Sequence, residues 1–481
     1  MGAGLHAHLN LGPFHLDLWA VSPTLTPMTM EGDAMASGSS RPIERRLLLQ
    51  SAALGIGVIG GLAPVVAAIR KPGGGEVAGP LPAPSVTDPN DPRLKKFSMT
   101  DSFYTLDNDY FQGWAKGSAE AAAVLLMQRD QQVDNSNVDT LKSVFETAKS
   151  KGVQGISTLP NTAAVSKDLM GIAQRDKFFV SSNWSNAAWS TPLDIGEYFY
   201  SFQTGNDEAG AREVCKVLFQ AMGGSGKFIH IEGIKGNSAS DNRTAGVDAA
   251  LKEFPNIEMV ARQQGGFSRG GTEPVIESLL TANTDVTGIM CQNDDSAMAA
   301  INAVQARGMK DVKIVGIDAI KEFLEAVKRG AALASWAHHG AFIGAFSTVR
   351  IFDALAGVKL TAPERMMYFG GFIIDTAEAA GAYQDLMFNP SKRLPFDYER
   401  MSRALHPDDW DPQNNMAPMD LDQYWARDPK PAGYDVPKAY SEAKDDGQFE
   451  KIQQQYKAAF RNDPFEAVRK LCRTGGQDIL S

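Results

Sequence analysis

From Lys95 onward the sequence alternates short β-rich runs with segments of helical periodicity, and this alternation restricts the fold more than any other feature. Strands separated by helices of roughly 10 to 15 residues are typical of βαβ units, in which the strands run parallel. We therefore predict an α/β fold. The predicted strands are KKFSMTDSFY, AVLLMQ, VQGIS, FFVSS, KFIHIEG, IEMVARQ, VTGIMCQN, VKIVGID, ALASWA and MMYFGGFII.

These strands are too many for a typical single sheet. The segment YSFQTGNDEAG interrupts the alternation between the fourth and the fifth predicted strand. We therefore predict two doubly wound lobes of parallel sheet. In sheets of this kind a ligand binds beyond the carboxyl ends of the strands, so the residues that follow each strand are the candidates for function.

The segment ERRLLLQSAALGIGVIGGLAP contains Gly55, Gly57 and Gly60 in the spacing GxGxxG. That spacing indicates a dinucleotide site only when a strand precedes it, a helix follows it and an acidic residue comes about 20 residues later. The residues before it do not read as a strand and those after it do not read as an amphipathic helix, so the glycines do not predict a cofactor site.

Two arginines, Arg45 and Arg46, instead precede an apolar run that ends in the small residues of 66–68. This order predicts an export signal of the twin-arginine type over residues 1–68, followed by a Pro/Gly-rich linker over residues 69–94. The true start could be a later methionine, Met28, Met30 or Met35. An uncleaved membrane anchor is the alternative, because about 20 apolar residues can span a bilayer.

A net charge of −10 argues against nucleic acid as a partner, and it leaves a permease or an uncleaved anchor as the only link to a membrane. The three cysteines are odd in number and far apart, which predicts neither a disulfide framework nor a zinc site.

The sequence does not contain a complete version of the enzyme motifs that we considered. GGSGKF has Ala221 and Phe228 where a phosphate loop needs Gly and Ser or Thr, and HExxH and CxxC are absent from the sequence. The pair His338 and His339 is too short a cluster for a metal site. We predict no enzyme activity, no cofactor and no metal.

The segment GIMCQNDDSAMAAINAVQARGMKDVKIVGIDAIKEFLEAVKRG, with Gln-Asn-Asp at 292–294 and Val-Gly-Ile-Asp at 315–318, resembles the second lobe of ribose-type periplasmic sugar-binding proteins. The resemblance extends over about residues 95–380. It implies a type I binding protein of an ABC importer, with two lobes joined by a hinge of three crossovers. The implied N-terminal lobe is 95–205 plus 338–365, and the implied C-terminal lobe is 206–337 plus 366–385.

The resemblance also implies the ligand-binding residues. In the first lobe they are Asn108, Tyr110, Phe111 and the pair Asn183 and Trp184. In the second lobe they are Arg243, Phe267, Asn293 and Asp318, and His338 stands in the hinge. Asn183 and Trp184 replace an Asp-Arg pair of the family, so ribose itself is in doubt.

These residue types suit a polyol. Asp accepts hydrogen bonds, Arg donates them in a fixed fork, Asn does both, and aromatic rings cover C–H faces. Structural alternatives stay open, because Asp318 could cap a helix, Asn293 could form an Asx turn, Arg243 could be solvated, and Phe111, Phe267 or Trp184 could be core.

The C-terminal extension, residues 386–481, has no counterpart in the compact family pattern. It is first irregular and then helical, with an apolar stripe of Phe449, Ile452, Tyr456 and Phe460. The stripe predicts that the extension packs on the lobes, and a partner-binding arm is the alternative.

We thus expect an exported protein that binds a small sugar or polyol between its lobes and delivers it to an ABC permease and its ATPase. A periplasmic sensor that serves a chemoreceptor is the alternative. A DNA-binding regulator would need a helix-turn-helix where residues 41–94 have an apolar segment and a linker. A cofactor-dependent enzyme would rest on Gly55 to Gly60 alone.

Overall fold

The computed structural model describes residues 84–426 and 428–480. The export signal predicted for residues 1–68 lies outside the described residues. No helix within the described ranges is long and apolar enough to cross a membrane. The strands are β1 (Ser98–Phe103), β2 (Gln128–Val133), β3 (Gly155–Thr158), β4 (Phe179–Asn183), β5 (Phe199–Gly205), β6 (Ser225–Glu232), β7 (Asn256–Gln264), β8 (Gly288–Cys291), β9 (Lys313–Ile317), β10 (Ala334–Ala337), β11 (Met366–Phe369), β12 (Phe372–Ile374) and β13 (Met416–Pro418).

Helices alternate with these strands and then continue alone. They are α1 (Asp109–Val124), α2 (Val138–Ala148), α3 (Ser166–Asp176), α4 (Pro192–Ile195), α5 (Asp207–Ala221), α6 (Ser238–Glu253), α7 (Arg269–Ala282), α8 (Asp294–Ala306), α9 (Lys321–Lys328), α10 (Gly340–Ala356), α11 (Ala377–Met387), α12 (Tyr398–Met401), α13 (Leu421–Trp425), α14 (Lys438–Asp445), α15 (Gln448–Ala459) and α16 (Glu466–Arg469).

The strands form two sheets, one in each lobe. The first has the order β13-β11-β5-β4-β3-β1-β2 and the second has the order β12-β10-β9-β8-β6-β7. Pairing is parallel except where β13 joins β11 and where β12 joins β10. The predicted two-lobe α/β fold with a helical C-terminal extension is confirmed.

From β1 to α11 the chain passes between the lobes at three crossovers. The first is Asn206, between β5 and α5. The second is His338 with His339, between β10 and α10. The third is Gly370 with Gly371, between β11 and β12. A Cβ on Gly371 would lie 2.5 Å from the carbonyl oxygen of Ala337, so the second and third crossovers touch at the backbone.

Three strand predictions were wrong. AVLLMQ lies at the end of α1, and β2 follows it at Gln128, because the helix continues through the alanines before the chain turns. The interruption seen in YSFQTGNDEAG is in fact β5, whose residues are all buried although four of the seven are Ser, Gln, Thr or Gly. MMYFGGFII forms two strands in different sheets.

The lobe boundary shifts with that last correction. Residues 366–385 were assigned to the second lobe, yet Met366–Phe369 pairs in parallel with β5 of the first sheet. The backbone crosses at the glycine pair, and the second lobe resumes at Phe372. The end of the predicted linker is also ordered, because residues 92–95 form a 3₁₀ turn and buried Arg93 forms ion pairs with Asp91 and Glu399.

Helix α10 is the central element of the first lobe. Its residues 340–354 are buried, because it lies between the sheet and α1. The approach of α1 is close: a Cβ on Gly117 would lie 1.9 Å from the carbonyl oxygen of Ala341, whereas a Cβ on Gly113 would lie 3.7 Å from its nearest neighbour, the backbone nitrogen of Ala341.

These two glycines give a matched test of the packing. Gly117→Ala should lower the free energy of unfolding by about 3 kcal/mol, because the added methyl group forces two backbones apart. Gly113→Ala should leave it unchanged or raise it by up to about 1 kcal/mol, since alanine is the better helix former. Urea unfolding followed by circular dichroism measures both, and equal effects would contradict the close approach of α1 and α10.

Candidate functional site

The cleft between the lobes lies at the carboxyl ends of the parallel strands. Its centre is a buried polar cluster of three side chains, which we call the cleft cluster: Arg243, Asp318 and His338. The Nε2 atom of His338 lies 3.0 Å from Oδ1 of Asp318 and 3.4 Å from Nη2 of Arg243. Arg243 and His338 are 4% and 1% exposed. The second lobe and the hinge therefore bring together three of the residues that the sequence analysis named.

Aromatic rings enclose the cleft cluster. The guanidinium carbon of Arg243 lies 5.5 Å from the ring centroid of Trp184 and 5.6 Å from that of Phe267. Tyr110 and Trp184 pack on His338, with ring centroids 5.0 and 4.5 Å away. Trp184 comes from the first lobe and Phe267 from the second, so the two walls belong to different lobes.

Two residues that sequence reasoning missed hold Arg243 in place. Its Nε donates to Oδ1 of Asp207 at 2.8 Å, and its Nη1 donates to the carbonyl oxygen of Gln292 at 2.6 Å. The Gln292 side chain in turn accepts hydrogen bonds from the backbone of Gly233 and from Ser240. Asp207 is the first residue of α5, directly after the first crossover, which ties the arginine to the hinge.

A third missed residue shapes the backbone that carries Asp318. Asp318 and Ala319 have φ values of 118° and 56°, which side-chain-bearing residues adopt only at a cost. The buried carboxyl group of Asp294 accepts from the backbone nitrogen of Ile320 at 3.0 Å and from the hydroxyl of Ser335 at 2.9 Å. Asp294 therefore positions Asp318. Its place beside Asn293 in the Gln-Asn-Asp motif was the only sequence signal for it.

Three of the residues predicted to bind the ligand make contacts with the protein itself that stabilise the fold. Phe111 packs on rings of the first lobe, Phe103 and Trp114 among them. Asn183 donates to the carbonyl oxygen of Thr158 and to the hydroxyl of Ser347 inside that lobe. Asn293 caps α8 and donates to the carbonyl oxygen of Phe267. Asn293 thus supports an aromatic wall.

Hydrogen bonds join the two lobes around the rim of the cleft. The backbone nitrogen of Lys321 donates to Asp109 at 3.2 Å, and the backbone nitrogen of Ala163 donates to the carbonyl oxygen of Gly236 at 3.0 Å. The Ser238 hydroxyl donates to the carbonyl oxygen of Asn186 at 3.0 Å. Asn108, which caps α1, also interacts with Asp295 of the second lobe. The lobes are therefore in a closed arrangement.

Little space remains in this arrangement. A cavity beside Tyr110 and Asp318 measures about 20 Å³, which holds about one water molecule. A second cavity of about 440 Å³ lies in the second lobe at the amino end of β9, beside Lys313 and Asp375, and it does not include the cleft cluster. A ligand therefore reaches the cleft cluster only when the lobes move apart.

A periplasmic binding protein domain model matches residues 102–357, which is more than half of the chain. The chain belongs to the periplasmic binding protein family. This family consists of substrate-binding proteins, and the matched range contains both sides of the cleft and the whole cleft cluster.

Relatives of this periplasmic binding protein include named sugar- and polyol-binding proteins. It is 29% identical to the xylitol-binding protein of Mycolicibacterium smegmatis over 199 residues, 41% of this chain and 54% of that protein. It is 28% identical to the ribose import binding protein of Haemophilus influenzae over 265 residues, 54% of this chain and 85% of that protein.

Solved structures share its fold. A twin-arginine translocation pathway signal protein from Burkholderia phytofirmans superposes with a TM-score of 0.58 at 22% identity, which covers 61% of this chain and 94% of that one.

Burial sets the protonation of the cleft cluster. It raises the pKa of Asp318 to about 7, against the opposing effect of the Arg243 charge. Burial and then Arg243 hold the pKa of His338 well below its usual range, so the imidazole is neutral. A neutral imidazole can donate Nε2–H to a carboxylate or accept from a carboxylic acid, and it can therefore pair with Asp318 in either state.

Several polar atoms around the cluster keep hydrogen-bonding capacity to spare. The side chains of Tyr110 and Trp184 interact with each other, and within the described chain no further hydrogen bond of ordinary geometry reaches either of them or Nδ1 of His338. Buried polar groups are normally paired, so such a concentration points to a hydrogen-bonding ligand.

The Asp318 pKa predicts a pH-dependent stability. Between about pH 4 and pH 7 the unfolded carboxyl group is ionised while the folded one keeps its proton, so the protein loses stability as the pH rises. Relative to Asp318→Asn, the free energy of unfolding of the ligand-free protein should fall by at most about 1.4 kcal/mol per pH unit in this window and stay level outside it.

Urea unfolding at a series of pH values measures this difference. Asp285→Asn is the control, because Lys227 lowers the pKa of that exposed carboxylate and no loss is expected over the same window. A difference between wild type and Asp318→Asn that does not change from pH 4 to pH 7 would mean that Asp318 is ionised in the folded protein.

Proposed function

We propose that this periplasmic binding protein captures a small neutral polyol or sugar between its lobes and delivers it to an ABC importer without chemical change. The observation that carries the proposal is the cleft cluster, in which Arg243, Asp318 and His338 meet between aromatic walls from opposite lobes. Delivery to a permease and its ATPase follows the role named for the ribose import relative.

The cluster matches the chemistry of a hydroxyl-rich ligand. Each hydroxyl group both donates and accepts, and the cluster offers a fixed donor in Arg243, an acceptor in Asp318 and an imidazole that does either. The faces of Trp184 and Phe267 suit the C–H surface between hydroxyl groups. Leaving one such buried partner unpaired costs about 1–3 kcal/mol, which rejects compounds that lack the matching hydroxyl group.

The charges of the site favour a neutral ligand. The ion pair with Asp207 already balances the charge of Arg243, and His338 is neutral. A carboxylate ligand would bring an additional negative charge next to Asp207 and Asp318 in a site sheltered from water, where an unbalanced charge is costly. Organic acids and amino acids are therefore poor candidates.

The size of the site favours a small ligand. Trp184 stands where the ribose-type family carries an arginine, and its indole packs against His338 at a tilt of 59°, with the ring centroids 4.5 Å apart. Tyr110 closes the same space from its other side. A polyol of about five carbons fits this restriction better than a hexose, in keeping with the name of the xylitol-binding relative.

The location that we propose is extracytoplasmic. The family is periplasmic, and residues 1–68 carry the twin-arginine pattern of an export signal, which supplies the route across the membrane. If this segment is cleaved the protein is free, and if it is retained the protein is anchored to the membrane. The binding site is the same in both cases.

A thermal-shift screen of the purified protein tests the ligand class. The compounds to be screened are xylitol, D-ribose, glycerol and myo-inositol. The one that binds, at 100 times its dissociation constant, should add about 2.7 kcal/mol to the free energy of unfolding, whereas glutamate should add nothing. Asp318→Asn should weaken the binding of the active compound by roughly 10- to 100-fold, since a buried acceptor is lost.

Asp285→Asn, which removes an exposed carboxylate of the same lobe, is the matched control and should bind as wild type. Stabilisation by glutamate and by none of the polyols would overturn the proposed ligand class. Equal binding by Asp318→Asn and Asp285→Asn would remove Asp318 from the site.

Trp184→Ala tests the role of the indole in selectivity. Its loss should raise the affinity for sorbitol relative to xylitol by about tenfold, because room for one more carbon changes discrimination by that order. Trp189→Ala is the control, since that indole stacks on Trp425 of the extension at 5.9 Å and has no contact with the cleft cluster. Isothermal titration calorimetry gives both affinities, and an unchanged ratio in Trp184→Ala would contradict the size argument.

A further inference from the structure

The C-terminal extension makes its own passes between the lobes. After α11 of the second lobe the chain returns to the first, where α12 packs on α10 and β13 extends the first sheet. After α15 it crosses again, and α16 packs on α11. The final stretch, residues 463–480, follows the hinge, and we call it the hinge clasp.

The hinge clasp is hydrogen-bonded to the first and third crossovers. The side-chain nitrogen of Asn206 donates to the carbonyl oxygen of Leu480 at 2.8 Å. The backbone nitrogen of Ile479 donates to the carbonyl oxygen of Gly371 at 2.8 Å. A Cβ on Gly370 would lie 2.7 Å from Oδ1 of Asp478, so the clasp lies directly against the third crossover.

An aromatic stack joins the clasp to the second crossover. The ring of Phe465 lies 3.8 Å from the imidazole of His339, centroid to centroid, with 14° between the planes. Phe465 is fully buried and also contacts Phe396 before α12 and Tyr383 of the second lobe. It is therefore wedged at the hinge between segments that belong to both lobes.

The clasp is firmly attached to the second lobe. The carboxyl group of Asp375 accepts from the backbone nitrogens of Arg473 and Thr474 at 2.7 and 3.1 Å. The guanidinium of Arg469 lies 4.4 Å from the ring of Phe372 and forms an ion pair with Asp478 at 2.6 Å. The clasp thus forms a defined structure beside all three crossovers and is not a loose tail.

Contacts at crossovers act on lobe movement directly. Domain closure changes backbone torsions in a few hinge residues, and here each crossover has a partner in the clasp. The same arrangement contains the hydrogen bonds of the cleft rim, such as that between Ser238 and Asn186. The clasp contacts and the closed lobes therefore occur together.

We propose that the hinge clasp biases the two lobes toward the closed arrangement and restricts their opening. Opening must shift the stack on His339 and the hydrogen bonds at Asn206 and Gly371, so the clasp adds to the free energy of the open state. The proposal does not depend on which ligand the cleft takes, because the equilibrium between open and closed lobes exists without one.

Small-angle X-ray scattering of the ligand-free, full-length protein tests the clasp. Phe465→Ala should raise the ratio of open to closed molecules by roughly two- to tenfold, the effect expected of one aromatic stack, and the radius of gyration should rise accordingly. Asn206→Asp should act in the same direction, because the new carboxylate keeps the cap of α5 but cannot donate to Leu480.

Phe449→Ala is the matched control. Phe449 is in the same extension, and its ring packs on Tyr440 at 5.4 Å, away from the crossovers, so its loss should leave the radius of gyration as in wild type. Should Phe465→Ala fail to fold, Asn206→Asp carries the test alone. The proposal is overturned if the folded clasp variants scatter as wild type does, or if Phe449→Ala expands the protein as much as they do.

Discussion

The buried charge of Arg243 is the constraint on which the cleft depends. The charge of a residue that is 4% exposed must be balanced. Its two anchors are Asp207, the first residue of α5, and the carbonyl oxygen of Gln292, which directly follows β8. Removing one partner of a buried pair commonly costs about 3–5 kcal/mol. Because Asp207 follows the first crossover directly, this one ion pair links the hinge, the second lobe and the group that we propose binds the ligand.

The alternation of β-rich and helical segments in the sequence predicted most of the fold, and the strand predictions that were wrong have physical causes. The pattern of β5 was missed because a strand buried on both faces need not alternate. Ser201 and Gln203 form hydrogen bonds with Ser181 inside the lobe, and Thr204 bonds to Asp207 at the start of α5. MMYFGGFII was taken as one strand because nothing in its composition distinguishes a glycine pair within a strand from one that carries the chain between two sheets.

The candidate site was predictable to the extent that its residues follow strands in the family order. Arg243, Asp318, His338, Tyr110, Trp184 and Phe267 come together in the fold. Asp207 was not identified, and Asp294 was recognised as a strand-end residue but not as part of the site, since each acts through another residue and a carboxylate at the start of a helix is ordinary in any sequence. Asn183 and Asn293 were predicted to bind the ligand, but their amide groups bond to the protein instead. A position at the end of a strand predicts that a residue is near the cleft, and it does not predict which partner its side chain will bind.

The size of the ligand and the contacts of the hinge clasp both affect the free energy of lobe closure. Ligand binding can close the lobes only by as much as it favours the closed form, and a compound of few atoms contributes at best about 1.5 kcal/mol per non-hydrogen atom. Every part of that energy used to close the hinge is lost to affinity. Trp184 narrows the cleft, which limits the number of contacts a ligand can make. An extension that lowers the cost of closure at Asn206, His339 and Gly371 compensates for this limit, and it does so without adding a single group to the cleft.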